Sequence, residues 1–75
     1  MAKRNNELTT HHILPTSRKG KNTEANIKRI PDKQHVAYHF LFANLTPDEV
    51  IEYLKQIWFN PNNKFIMPLE WLQKK

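Results

Sequence analysis

Four histidines are the residues whose type and spacing point to chemistry in this chain of 75 residues. His35 and His39 are four positions apart, so on a helix both side chains lie on one face within reach of one metal ion. Surface or core histidines produce the same spacing, so the pair alone leaves both interpretations open. Val36 stands where the zinc-protease motif needs its glutamate base, and that activity is therefore excluded.

The other two histidines, His11 and His12, are adjacent in a segment with the composition of a β-strand. Neighbouring strand residues point to opposite faces, so these two side chains should serve different purposes. One of them can face an ion while the other faces a substrate. Two partly exposed strand histidines without any ligand are the alternative.

β-Branched residues and turn-forming residues predict the two strands that position His11 and His12. Residues 8–14 form a predicted strand that ends at Pro15, and residues 27–30 form a second strand that ends at Pro31. The polar residues 16–24, which include the one glycine of the chain, predict a loop between these strands.

Three helices are predicted after the second strand. Residues 33–43 have helical spacing behind Asp32 as N-cap, and this helix carries the His-x-x-x-His pair. Thr46 and Glu49 form a capping box with proline at the first helical position, and apolar residues keep helical spacing behind it. A last short helix is predicted at residues 68–73. The spacing of six aromatic residues predicts core or helix-packing positions: Tyr38, Phe40, Phe42, Trp58, Phe65 and Trp71.

Length, cysteine content and hydropathy limit the class of protein. A chain this short makes one domain with a thin core, and a metal ion, a disulfide or a partner subunit commonly stabilises such domains. Cysteine is absent, which excludes disulfides, thiolate zinc sites and cysteine nucleophiles. There is neither a signal-peptide pattern nor an apolar run long enough for a membrane span, so we expect a cytoplasmic protein with no membrane partner.

The net charge of +5 lies entirely in the first half of the chain. Residues 1–34 contain eight lysines and arginines against three acidic residues, whereas residues 35–75 contain four of each kind. Such an asymmetry is typical of a protein that binds a polyanion such as nucleic acid. A solvated basic segment that aids solubility is the alternative.

Taken together, the series His11-His12, Asn26, His35 and His39 resembles the ββα-metal finger of HNH endonucleases, in the colicin-type branch of that family. Residues 11–18, His-His-Ile-Leu-Pro-Thr-Ser-Arg, also resemble the first strand and loop of the family. The resemblance covers residues 8–44. It implies an α+β fold in which a β-hairpin and a helix surround one metal ion. Residues 45–75 would supply supporting helices within the same domain, and residues 1–7 a flexible N-terminus.

By position, the resemblance assigns His11, His35 and His39 as ligands of one divalent ion, which could be Zn²⁺, Mg²⁺, Mn²⁺ or Ni²⁺. It assigns His12 as the general base. It assigns Asn26 as the residue whose side chain ties the loop to the hairpin and holds the base in place. Three neutral imidazoles leave an open position on the ion for a phosphate oxygen, as a catalytic site requires.

The basic residues of the first half complete the expected site. Arg18 is the candidate for the catalytic arginine that colicin-type enzymes place near the ion, with a plain phosphate contact as the alternative. Four further residues are expected to contact backbone phosphates, with a solvated surface as the alternative: Lys19, Lys21, Lys28 and Arg29.

We therefore expect a metal-dependent endonuclease that nicks DNA, or cuts it without sequence specificity. RNA as substrate and a homodimeric state both remain open. The alternatives are a non-catalytic, zinc-stabilised module that binds nucleic acid, and a protein-interaction domain. A purely structural zinc site would have no use for His12 or Asn26, and their presence favours the enzyme.

Overall fold

A hairpin of two five-residue strands begins the fold. The protein is described by a computed structural model over residues 7–75, in which β1 (Leu8–His12) runs antiparallel to β2 (Ile27–Pro31). Thr10 lies opposite Arg29 in the register. The predicted α+β architecture is confirmed at this level, because helices follow the two-stranded sheet.

Strand β1 ends two residues before its predicted end at residue 14. The backbone groups of Leu14 bond to a side chain rather than to a neighbouring strand. Its N–H donates to Asn26 Oδ1 at 2.8 Å, and its carbonyl accepts from Asn26 Nδ2 at 3.0 Å. The amide of one residue thus replaces the next pair of ladder hydrogen bonds.

The loop between the strands is more ordered than its polar composition predicts. It contains two 3₁₀ turns, Thr16–Arg18 and Glu24–Asn26. Gly20 donates its backbone N–H to the carbonyl of Pro15 at 2.9 Å. A Cβ at Gly20 would lie 1.6 Å from the carbonyl oxygen of Leu14, so only glycine fits this close approach.

Helix α1 (Asp32–Phe42) carries the histidine pair. The prediction of Asp32 as N-cap is wrong by one residue, because Pro31 occupies that position without a side-chain cap. The N–H of Asp32 donates to the carbonyl of Glu7 at 2.8 Å, so the chain before β1 satisfies one of the backbone donors at the start of α1.

The second helix begins as predicted. Helix α2 (Pro47–Tyr53) has a complete capping box, in which Thr46 Oγ1 accepts from the N–H of Glu49 at 3.3 Å and Glu49 Oε1 accepts from the N–H of Thr46 at 3.0 Å. It continues as a π-helical turn (Leu54–Trp58). Helix α3 (Pro68–Gln73) has the predicted bounds. None of the helices within residues 7–75 is long and apolar enough to span a bilayer.

The hydrophobic core lies within the C-terminal half. Leu45 and Tyr53 are fully buried, and Ile57 and Trp71 pack with them. Four partly buried side chains surround this cluster: Phe42, Val50, Ile66 and Leu72. Before Leu45, the only buried residue in the described part of the chain is a histidine, His11. The hairpin and α1 therefore depend on polar contacts to a greater extent than the C-terminal helices do.

The prediction that six aromatic residues pack as core positions is only partly correct. Trp71 is buried, but Phe40 is 78% exposed and Phe65 is 53% exposed. Phe40, Trp58, Phe65 and Met67 line an apolar cleft of about 260 Å³. A core of four buried side chains is too small to cover every aromatic residue that the helices present.

Candidate metal centre and adjoining cleft

Strand β1 places His11 beneath helix α1, where it is 8% exposed. Its ring packs edge-on against Tyr38, with 4.7 Å between centroids, and lies 5.2 Å from the ring of His35. Within residues 7–75, the buried Nδ1 atom of His11 has no hydrogen-bond partner. A buried polar atom without a partner requires an explanation, and a role as a metal ligand provides one.

Helix α1 adds two histidines from successive turns. His35 and His39 face each other, with 2.9 Å between their Nε2 atoms. One ring nitrogen from each of His11, His35 and His39 lies within 4.8 Å of the other two. These three side chains are close enough to hold one metal ion together, as the sequence predicts for them.

Hydrogen bonds at the outer ring nitrogens fix the tautomers of the helical pair. Thr9 Oγ1 donates to the carbonyl of Ile30 at 3.1 Å, so it accepts from His35 Nδ1 at 2.8 Å. His39 Nδ1 lies 3.2 Å from the carbonyl of Ala43, which can only accept. In both rings the proton is therefore on Nδ1, and the two Nε2 lone pairs face each other. Two lone pairs at this distance repel each other unless a cation lies between them.

This arrangement fits a metal ion by its donor set as well as its geometry. A ligating histidine usually donates its outer N–H to a hydroxyl, a carbonyl or a carboxylate, which holds the ring in place and raises its basicity. His35 and His39 both do so. A proton shared between the two Nε2 atoms would satisfy that pair, but it would leave the buried Nδ1 of His11 without a partner.

Desolvation and neighbouring histidines favour the neutral form of His11 and His35, which is the form that binds metals. Desolvation lowers the pKa of His11 from its ordinary value, and the nearby His35 and His39 rings lower it further. Desolvation and His39 likewise lower the pKa of His35, although Asp32 opposes the shift. Both shifts favour the neutral ring, and only a neutral imidazole can ligate a metal ion.

The backbone carbonyl that accepts from His39 belongs to a residue with a strained backbone conformation, Ala43. Ala43 ends α1 with a φ of 51° and a ψ of −129°, a conformation that residues with a side chain rarely adopt. This residue presents the carbonyl that receives His39 Nδ1–H. The local strain thus falls at the residue that orients a candidate ligand, as it often does at functional sites.

His12 lies beside the histidine cluster without belonging to it. A cleft of about 320 Å³ is lined by eight residues: Thr10, His12, Pro15, Thr16, Ser17, His35, His39 and Asn44. His12 is half-buried in this cleft, and its Nε2 atom lies 2.5 Å from Asn22 Oδ1. The structure therefore brings His12 to the same cleft as His35 and His39 but gives it a separate partner.

Asn26 connects the two ends of the loop. Besides its two bonds to Leu14, its Nδ2 atom donates to the carbonyl of Lys21 at 2.9 Å. Leu14 follows His12 by two residues, and Lys21 precedes Asn22, the partner of His12. One amide side chain thus sets the separation between the strand end that carries His12 and the loop segment that contacts it.

Arg18 is engaged with helix α2 rather than free in the cleft. Its two terminal nitrogens donate to the two carboxylate oxygens of Glu49, each at 2.8 Å, and one of them also donates to the carbonyl of Asn44. The Arg18 guanidinium lowers the pKa of Glu49 to about 2. A phosphate at Arg18 would have to compete with this bidentate partner.

The four basic residues expected to contact phosphates are exposed: Lys19, Lys21, Lys28 and Arg29. Arg29 lies 3.8 Å from Glu24, and Lys19, Lys21 and Lys28 form no ion pair within residues 7–75. The cross-strand register places Arg29 opposite Thr10, a residue that lines the cleft. Cross-strand partners point to one face of a hairpin, so Arg29 is on the same face as Thr10.

Sequence reasoning missed four residues that shape this site: Thr9, Asn22, Ala43 and Glu49. Each acts through a contact with a residue at least four positions away, so no local pattern indicates it. Glu49 was identified only as a member of the capping box. The opposite charges of Arg18 and Glu49 are the one signal in the sequence. Only the folded structure shows that these two side chains lie close together.

Comparison with known proteins gives no further identification. No protein-family model matches this chain, and neither a curated protein nor a solved structure is significantly similar to it. The geometry of the residues is accordingly the basis for any functional proposal.

Proposed function

We propose that this protein is a metal-dependent endonuclease that hydrolyses phosphodiester bonds of DNA. The observation that carries the proposal is the position of His12. It opens on the same cleft as two candidate ligands, yet its ring bonds to Asn22 and is not one of the three histidines whose nitrogens converge. A site that only stabilised the fold would need the three converging rings and no fourth histidine beside them.

His11, His35 and His39 would hold the ion. Three imidazoles favour a borderline transition ion such as Zn²⁺ or Ni²⁺ over Mg²⁺, which prefers oxygen ligands. When bound, the ion would supply positive charge that stabilises the additional negative charge on the phosphate during hydrolysis.

The remaining residues of the cleft would transfer the proton and contact the substrate. His12 accepts a proton from the attacking water as the general base. The water oxygen bonds to phosphorus while the bond to the leaving 3′ oxygen breaks, and that oxygen takes a proton from solvent. Thr10, Thr16 and Ser17 offer hydroxyl groups along the cleft to phosphate oxygens.

The experiment that tests the proposal is incubation of the purified protein with supercoiled plasmid. We expect conversion to open circles with Zn²⁺, Ni²⁺ or Mn²⁺ and none with excess chelator. An RNA substrate run in parallel decides which nucleic acid is cut. No cleavage of either nucleic acid with any of these ions would refute the proposal.

Two variants separate the catalyst from the scaffold. Replacing His12 by alanine should leave zinc affinity and thermal stability nearly unchanged while lowering the cleavage rate by roughly 10²–10⁴, the usual effect of losing a general base. Replacing His39 by alanine should weaken zinc binding and lower activity with it. Equal loss of zinc in both variants would mean that the roles of the histidine doublet are assigned wrongly.

A zinc-stabilised binding module is the second candidate. The observation in its favour is that the hairpin and α1 contribute one buried residue, His11, among the described positions before Leu45. Small domains without a sufficient core commonly use an ion for stability. DNA binding with zinc but without cleavage would establish this candidate.

A further inference from the structure

The hydrogen bond between His12 and Asn22 has only one possible direction. Asn22 Oδ1 lies 2.5 Å from His12 Nε2, and an amide oxygen can only accept a hydrogen bond. The proton of the neutral His12 ring is therefore on Nε2. The reversed tautomer would place a nitrogen lone pair against an oxygen lone pair.

The other ring nitrogen of His12, Nδ1, can then accept a proton. In the Nε2–H tautomer, Nδ1 carries the lone pair, and within residues 7–75 this atom makes no hydrogen bond. A general base needs an unprotonated nitrogen directed at the water it deprotonates. His12 borders the cleft, so the tautomer that Asn22 selects leaves a basic nitrogen at the edge of that cleft.

Asn22 is held for this contact by its neighbour. The carbonyl of Lys21 accepts a 2.9 Å bond from Asn26 Nδ2, and the same nitrogen bonds the carbonyl of Leu14 on the His12 side. Asn22 itself is exposed, and the bond to His12 is the one side-chain hydrogen bond that it makes within the described residues. Its side chain therefore has a contact with His12 but no visible part in the core.

We propose that Asn22 is a positioning residue that holds His12 in the Nε2–H tautomer, so that Nδ1 receives the proton of the attacking water. The effect on hydrolysis rests on the proposed nuclease function, but the effect on the His12 ring does not. A nitrogen NMR measurement of the ring therefore tests the proposal independently of cleavage.

The first measurement uses the full chain with Zn²⁺ bound and histidines labelled with ¹⁵N. Long-range ¹H–¹⁵N spectra distinguish a protonated from an unprotonated ring nitrogen, and the His12 signals are identified by their loss in the His12→Ala variant. We expect one tautomer, protonated on Nε2, in the parent and in Asn22→Asp, whose carboxylate also accepts. In Asn22→Ala, we expect nitrogen shifts averaged between the two tautomers.

The second measurement is steady-state cleavage of a short DNA duplex near pH 8. Asn22→Ala should lower kcat about tenfold with KM changed by less than about twofold, because the substrate contacts remain. Asn22→Asp should recover most of the rate. Asn62→Ala is the matched control, since Asn62 is an exposed asparagine whose side chain makes no hydrogen bond in residues 7–75.

The outcomes separate the two proposals. A shift of the His12 tautomer together with a lower kcat in Asn22→Ala supports a positioning residue. An unchanged ring spectrum overturns the inference whether or not the rate falls, and so does a changed spectrum with an unchanged rate. If the parent cuts no nucleic acid, the proposed function fails, and the ring spectrum alone decides whether Asn22 sets the tautomer.

Discussion

Each candidate ligand is oriented by a residue from another segment. His35 is held by Thr9 of β1, His39 by the carbonyl after α1, and His11 by the edge of Tyr38. Burial raises the pKa of the Tyr38 phenol from its ordinary value. These contacts hold the three rings in the arrangement that an ion would need.

Asn26 connects the loop to the end of β1 through three side-chain hydrogen bonds, and its removal should affect stability and activity together. Replacing Asn26 by alanine loses three hydrogen bonds and leaves the backbone of Leu14 unpaired. We expect a loss of roughly 1–3 kcal/mol in the free energy of unfolding, measured by urea denaturation. The Asn62→Ala variant is the control, and an equal effect of both substitutions would contradict the importance of Asn26.

At the scale of elements, one ion pair connects the loop to the C-terminal helices. Arg18 ends a 3₁₀ turn of the loop, and Glu49 lies in the first turn of α2. The two side chains are 28% and 16% exposed, so water screens this pair less than it screens a fully exposed one. The carbonyl of Asn44 and the side chains of Asn44 and Ser17 extend the same junction.

This junction should weaken in acid. The guanidinium of Arg18 lowers the pKa of Glu49 from 4.5 to about 2, so the stabilisation is present above pH 4.5 and is lost as the pH falls from 4.5 towards 2. Glutamine preserves the capping box but not the charge. In chelator, the parent should unfold at higher urea than Glu49→Gln near pH 6, and the difference should shrink between pH 4.5 and 2. A difference independent of pH would contradict the ion pair.

The loop between the strands should provide phosphate contacts. Replacing Lys19 and Lys21 by alanine should weaken binding to unrelated DNA sequences about equally and reduce the slope of log K against log salt by roughly 1–2. Replacing Lys55 and Lys64, which lie in the half without net charge, is the matched control. A loss that depends on the DNA sequence would instead mean that the loop lysines contact bases.

At the scale of the whole molecule, apolar packing and the candidate metal centre occupy different halves. The four buried hydrophobic side chains lie between residues 45 and 71, whereas the converging histidines come from β1 and α1. An ion at the histidine cluster would therefore connect a strand to a helix that share no apolar core. We therefore expect the stability of the hairpin to depend on metal.

Metal should accordingly raise the melting temperature. With Zn²⁺ at about a hundredfold excess over its Kd, we expect a rise of roughly 10 °C or more in a domain of this size, reversed by chelator. The rise should disappear in His39→Ala. An unchanged melting temperature after complete removal of metal from the parent would exclude a contribution of the ion to folding.

The stability of the metal-free protein should also decrease as the pH is lowered. The pKa values of His11 and His35 are lowered in the folded state, so the unfolded chain takes up protons at those positions first. Unfolding is therefore favoured progressively as the pH falls below about 6.5. Thermal melts in chelator between pH 8 and 5 measure this, and His11→Gln should flatten the dependence.

The sequence by itself indicates the parts of this protein that depend on local spacing. The four-residue interval of His35 and His39, the capping box at Thr46 and the final helix at residues 68–73 are all evident from neighbouring residues, because helical geometry repeats over a few positions. The convergence of His11 with the helical pair was expected from a resemblance, and the structure shows the three nitrogens together.

The tertiary structure decided which partner each polar group receives. Nothing near Arg18 in the sequence shows that Glu49, 31 residues later, engages its guanidinium, or that Thr9 fixes the tautomer of His35 across 26 residues. It also decided that Phe40 stays exposed, since helical spacing indicates a face but not whether another element covers it. Such contacts depend on distances that only the folded chain sets, and hydrogen bonds are made or lost within an ångström.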